Sequence, residues 1–192
     1  MPTSVQPHKD RSAAVKQAIL TAAHELFTQG GFESTGVRDI ATRANVNPAI
    51  VIRHFGSKEN LFLLAVDSVK MMRELVEGPA DGIGERVVRK ILRGRRGGLQ
   101  MFGNVVRASG RDDIRRQFQE TMSEVVASDL AARFPGPDSE LRAHLFVAQL
   151  FGLMSALSVY DDEFLLEADI DKIAARYGDS LQHMLADGAS EG

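Results

Sequence analysis

Cysteine and tryptophan are missing from the 192 residues, and aromatic residues make up only 6% of them. The lack of cysteine excludes disulfides and thiolate metal sites. No stretch holds eighteen uninterrupted apolar residues, and Met1 to Asp10 is polar. Neither a membrane span nor a signal peptide is therefore expected, and a cytoplasmic location follows as the default. Period-two alternation long enough for a strand is lacking too, as are internal repeats. The five histidines, His8, His24, His54, His144 and His183, show no metal spacing, and no HExxH, calcium-loop or P-loop pattern occurs. Gly82-Ile83-Gly84 begins like a dinucleotide fingerprint but continues to Val87 where glycine is required, so it reads as a loop. No metal, no cofactor and no catalytic constellation is expected.

What is present is helix. A 44% hydrophobic composition is ample for a core in one large domain or two small ones. Val15, Ala18, Ile19, Ala22 and Leu26 share one face of a helix over 12–29, ended by Gly30-Gly31, with Phe32 folding back into the core. Residues 1–10 read as a flexible arm. In GVRDIATRANVNPAIVIRHFGSK, Gly36 to Lys58, two short helices meet at a tight turn. Val37, Ile40, Ala41 and Ala44 line the first helix, and Ile50, Val51 and Phe55 the second. Ser34 or Thr35 can cap the first. Asn45 suits the turn because asparagine tolerates positive φ, and Asn47-Pro48 starts the second helix as cap and first residue. The outward face left over is Asn47, Pro48, Ala49, Ile52, Arg53 and His54. A longer helix over 58–77 follows, opened by Ser57.

Gly78-Pro79 and Gly82 and Gly84 mark a boundary. Beyond it helices are expected at 84–93, 98–108, 112–133, 138–160 and 169–186, giving an all-α chain of about nine helices. The segment LFVAQLFGLMSALSVY, Leu145 to Tyr160, is apolar nearly all round, so its helix should be buried on more than one side. Paired with the last helix it suggests a two-fold four-helix interface using Phe151, Gly152, Ser155, Leu157, Tyr177, Leu181 and Met184; the alternative is the core of a monomer. Charge is uneven. The net value is −3, yet residues 84–116 hold ten Lys/Arg against three Asp/Glu, and residues 117–192 hold four against fourteen. The basic run Arg86 to Arg96, with Arg107, Arg111, Arg115 and Arg116, reads as a solvated face, a second nucleic-acid surface, or the counterpart of the acidic C-terminal part.

From about Ser12 to Val66 the chain resembles the TetR family of bacterial transcriptional repressors. The likeness rests on Ile19-Leu20, Ala22-Ala23, Leu26-Phe27, Gly31-Phe32, Thr35, Val37 to Ala41, Val46, His54-Phe55 and Ser57 to Phe62. It implies a helix-turn-helix DNA-binding domain over 12–66, with the motif at 36–55, followed over 67–192 by a helical-bundle domain for ligand binding and dimerisation. It also implies a homodimer that places the helix Asn47 to Phe55 in the major groove of a pseudo-palindromic double-stranded operator. The expected DNA-contacting set is Thr35, Arg38, Asn47, Pro48, Ala49, Ile52, Arg53, His54 and Lys58. Thr35 would offer a hydroxyl to phosphate, Arg38 a guanidinium to a guanine edge, and Lys58 a charge beside a helix N-terminus. Where the family commonly has a phosphate-gripping tyrosine the chain has Ile52. Arg53 could replace that grip or read a base, and His54 serves packing, backbone contact or a pH response. Release by an unknown small-molecule effector is implied as well, with Met72, Gln100, Met101, Arg107, Phe118, Met122 and Met154 as pocket candidates. The other readings of the chain are a constitutive DNA binder without ligand and a helical protein-protein adaptor.

Overall fold

Twelve helical segments and no strand occur among the described residues of the computed structural model, which are residues 6–66, 68–94, 98–120 and 127–186. The chain is all-α. The excess over nine arises because 58–77 and 112–133 are each described as two segments and because a short helix lies in the acidic stretch after Tyr160. Contacts divide the chain into two units, 1–67 and 68–192.

The first unit holds α1 (Gln6–Ser34), α2 (Val37–Arg43), α3 (Pro48–Phe55) and α4 (Lys58–Val66). α1 takes in residues 6–10, where a flexible arm was expected; Pro7 is compatible with this because the first helical turn has no need of its N–H. Gly31, at φ 74°, breaks α1 near its end and turns Phe32 inward. Phe27, Phe32 and Phe62 then meet, with ring centroids 5.0 Å apart for Phe27–Phe62 and 5.2 Å for Phe32–Phe62, both edge-on. Ile19, Ala23, Ile40, Ala41, Val51, Phe55 and Leu61 complete this core. His24 Nδ1 lies 2.9 Å from the Ala65 carbonyl, and Arg43 donates to Glu25 at 2.6 Å, tying α4 and α2 to α1.

The second unit comprises α5 (Ser68–Val76), α6 (Ile83–Arg93), α7 (Gly98–Ala108), α8 (Asp112–Glu120), α9 (Ser128–Arg133), α10 (Ser139–Ser158), α11 (Glu163–Glu167) and α12 (Ile170–Leu185). By length and composition α10 could cross a membrane, with mean hydropathy 1.3 over its most apolar window. Here it packs against α7, α9 and α12, which accounts for its buried residues Ala143, Phe146, Val147, Leu150, Leu153, Met154 and Leu157.

The tightest crossing is α6 on α12. A Cβ on Gly84 would lie 2.0 Å from the Gly178 carbonyl oxygen, and one on Gly178 would lie 2.4 Å from the Glu85 Cα. Gly84 therefore belongs to a helix whose backbone touches its neighbour's, as the expected helix over 84–93 has it, and the reading of Gly82-Ile83-Gly84 as a loop is corrected from Ile83 on. Gln182 straddles the contact, accepting from the Gly84 N–H and donating to the Ala80 carbonyl, both at 3.3 Å. Ile83, Val87, Val88, Ile91 and Leu92 bury the rest of the α6 face. Gly84→Ala should lower stability by about 3 kcal/mol, because backbone cannot yield as a side chain does. Gly110→Ala, with open space around its Cβ, should leave the melting temperature near that of the parent. Equal melting of the two variants would refute the backbone contact.

Candidate nucleic-acid interface

The turn between α2 and α3 follows from four residues. Asn45 takes φ 54°, and the Val46 N–H reaches back 2.9 Å to the Ala41 carbonyl. Asn47 Oδ1 accepts from the Ala49 N–H at 2.8 Å, and Pro48 is the first helical residue. α2 is capped by Gly36, whose N–H donates to Asp39 Oδ2 at 2.9 Å, and not by Ser34 or Thr35.

α3 has two faces. Val51 and Phe55 are 1% and 2% exposed, so the core fixes its rotation. Pro48, Ala49, Ile52 and Arg53 are exposed, His54 is half-buried, and Arg38 is exposed on α2. Among the described residues neither the Arg38 nor the Arg53 guanidinium has a hydrogen bond or ion pair, whereas Arg43 is held by Glu25. An open groove of about 460 Å³ runs between α1 and α3, lined by Arg11, Ser12, Val15, Asn47, Ile50, Arg53 and His54.

At the far end of α3, Gly56 turns the chain at φ 76° and Ser57 Oγ accepts from the Asn60 N–H at 3.0 Å. Asn60 Nδ2 in turn donates to the Phe55 carbonyl at 2.8 Å. Lys58 places its ammonium 4.1 Å above the Phe32 ring, a cation–π contact that holds the charge beside the start of α4. That contact joins residues 26 apart, and sequence spacing gave no sign of it.

Thr35 is corrected. It is 5% exposed, and its hydroxyl lies within bonding distance of the Gly31 and Leu26 carbonyls, at 2.8 and 3.1 Å. A hydroxyl has one proton to donate, so this one secures the end of α1 and is not offered to phosphate.

The expected interface residues of the second unit divide. Leu157 and Leu181 are 4% and 0% exposed in one chain and have no surface left for a second, which corrects their assignment. Phe151 is likewise turned into a cluster with Phe102 and Phe118, at 5.4 Å from each. Tyr177 is half-buried and donates its hydroxyl to the Gln149 carbonyl at 2.9 Å; burial raises its pKa. Ser155 and Met184 are half-buried, and Gly152 is exposed. The outward stripe of α10 is Leu141, Leu145, Ala148 and Gly152, with both leucines about half exposed.

Of the expected pocket residues, Met72 and Met154 share one core cluster, with Phe118 packed against it. Met72, Met101 and Met154 are buried, Phe118 stacks on Phe151, and Gln100 is exposed. Arg107 donates to Asn104 Oδ1 at 2.9 Å and to the Ser158 carbonyl at 3.2 Å, closing the end of α10. Met122 lies outside the described residues. Of the basic run, Arg86 donates to the Glu77, Pro79 and Asp81 carbonyls, and Arg89 pairs with Glu85 and Asp171, which raise its pKa. These two cations answer loop carbonyls and acidic side chains. Among the described residues no group of three or more His, Asp or Glu could hold a metal.

Residues 19–65 match the family described as bacterial regulatory proteins, tetR family, and residues 81–185 match the tetracyclin repressor-like C-terminal domain. The chain is 34% identical over 172 residues to the HTH-type transcriptional repressor Rv3405c of Mycobacterium tuberculosis, covering 88% of this chain and 83% of that one. Among solved structures, a TetR-family regulator (SCO0857) of Streptomyces coelicolor is 32% identical with a TM-score of 0.60, covering 96% of this chain and all of that one. NalD of Pseudomonas aeruginosa, the secondary repressor of the MexAB-OprM multidrug efflux pump, is 19% identical with a TM-score of 0.64 over 94% of this chain and all of its own, and shares the fold.

The inward hydroxyl is testable. Thr35→Val should cost about 1–2 kcal/mol of stability with DNA affinity kept under folding conditions. Loss of affinity at unchanged stability would return Thr35 to the contact set.

Proposed function

The chain belongs to the TetR family of bacterial regulatory proteins, and from that premise we propose that it is a homodimeric repressor released from a pseudo-palindromic operator by a small molecule. As a family member it is a DNA-binding transcriptional regulator; such proteins are generally not enzymes. The observation that carries the reading is the exposed side of α3, which bears Arg53, together with Arg38 exposed on α2, neither guanidinium having a partner among the described residues. Arg53 sits on the side of α3 opposite Val51 and Phe55, where a groove edge or a phosphate meets it. Arg38 can take a guanine edge, and Lys58 with the N-terminal end of α4 supplies a phosphate contact. Asn47 and Pro48 set the angle at which α3 enters, and Ala49 permits close approach. His54, half-buried at the end of α3, supports the same edge.

The dimer is supported by the stripe Leu141, Leu145, Ala148 and Gly152. Two exposed leucines on the same side of a long helix, followed by two small residues and with nothing within 4 Å of a Cβ at Gly152, leave room for a second α10 to approach. Two reading heads would then meet half-sites about 34–36 Å apart, or a multiple of that. For the effector, the polar anchor moves from Gln100 and Arg107 to Gln149. Its Oε1 is buried with no hydrogen-bond partner among the described residues, an acceptor that a ligand N–H or O–H would satisfy. The packed Phe102, Phe118 and Phe151 rings favour a second reading, a repressor that binds constitutively, in which no small molecule changes operator affinity.

Arg53→Ala and Lys58→Ala should each weaken binding to a duplex retained from a random-sequence pool. The Lys58 variant should also flatten the salt dependence, by about one unit of slope for a single phosphate left without its cation. Unchanged titrations for both would refute the assigned face. Leu145→Glu should sediment as a monomer with its melting temperature kept, whereas Leu157→Glu should unfold. A Leu145→Glu dimer would overturn the proposed interface.

A further inference from the structure

Ile52 stands apart from the other side chains around it. It is 43% exposed on α3, one residue on from the buried Val51. A solitary exposed isoleucine needs no explanation. This one forms a short apolar strip with exposed Pro48 and Ala49, four and three residues back on the same helix; Arg53 follows it on α3, Arg38 is exposed on α2, and among the described residues neither cation has a partner. Phosphate attracted by those cations would bring the strip against the edges of base pairs.

We propose that Ile52, together with Ala49, reads the C5 methyl group of a thymine in each half-site, so that the operator contains a thymine which deoxyuridine cannot replace. This rests on the DNA-binding reading above and adds a sequence preference to it. Each base pair shows the major groove a set of donors and acceptors, and the thymine methyl is the only alkyl group there. The isoleucine side chain has no donor or acceptor. Set against guanine O6 and N7, or the cytosine amino group, it would strip water from a polar atom and return no hydrogen bond. Set against a methyl group, both surfaces leave water at no polar cost. A contact with deoxyribose would also be apolar, but it would be indifferent to sequence.

The test uses the full chain and a duplex that it retains from a random-sequence pool. Each thymine of one half-site is replaced in turn by deoxyuridine, which removes the methyl and leaves base pairing intact. At one or two positions affinity should fall about three- to five-fold, the scale of one buried methyl. Ile52→Ala should bind the thymine duplex more weakly by a similar factor and should no longer distinguish thymine from deoxyuridine there. Ile52→Val should keep the distinction. Because Ile52 is exposed, both variants should melt with the parent. Equal affinity of the parent protein for every deoxyuridine duplex would overturn the inference while leaving DNA binding intact. So would an Ile52→Ala variant that still discriminates. Failure to retain any duplex would instead remove the DNA-binding reading on which it stands.

Discussion

The meeting of Phe27, Phe32 and Phe62 is the contact on which the exposed face of α3 depends. α2 and α3 are seven and eight residues long, too short to persist as isolated helices, so their stability comes from what they pack on. α1 and α4 supply that platform, and the three rings lock it. Gly31 lets the chain turn so that Phe32 reaches the other two. Phe32 then does a second job, because the Lys58 ammonium lies over its ring. A core side chain thus sets the place of a surface charge. With the platform fixed, Val51 and Phe55 fix the rotation of α3, and the exposure of Ile52 and Arg53 follows from geometry.

Positive charge serves two ends in this chain. Arg86, Arg133 and Arg142 reach backbone carbonyls at helix ends and loops, Arg133 taking those of Val76 and Gly78 and Arg142 those of Pro137 and Phe134. Arg89 joins α6 to α12 through Asp171. Such cations are used up by the fold, whatever their density in the sequence. Arg38 and Arg53 have no such partner among the described residues, and a free guanidinium beside an exposed helix is what a phosphate or a guanine edge can take.

The motif was legible because its signals are local. Asn45 at positive φ, Asn47 as cap and Pro48 at the first turn each act within three residues, and the 3.6-residue period of Ile50, Val51 and Phe55 gave the buried face. What escaped the sequence depends on distant partners. Thr35 looks like a helix cap until its hydroxyl is seen within bonding distance of the Gly31 and Leu26 carbonyls, four and nine residues back. Gly84 looks like a loop glycine until Gly178, 94 residues away, is placed against it. The α10 helix was correctly expected to be buried on more than one side. Periodicity could not say which of its apolar residues serve the chain's own core, and Leu157 and Leu181 were assigned to the wrong partner for that reason.

The central claim, that the α3 face meets DNA, is tested most directly by hydrogen–deuterium exchange with and without a retained duplex. Protection should concentrate in peptides spanning residues 36–58, with little change over residues 83–93, where Arg86 and Arg89 already hold loop carbonyls and acidic side chains. Protection confined to 83–93, with none at 36–58 under conditions where the duplex is bound, would contradict the account.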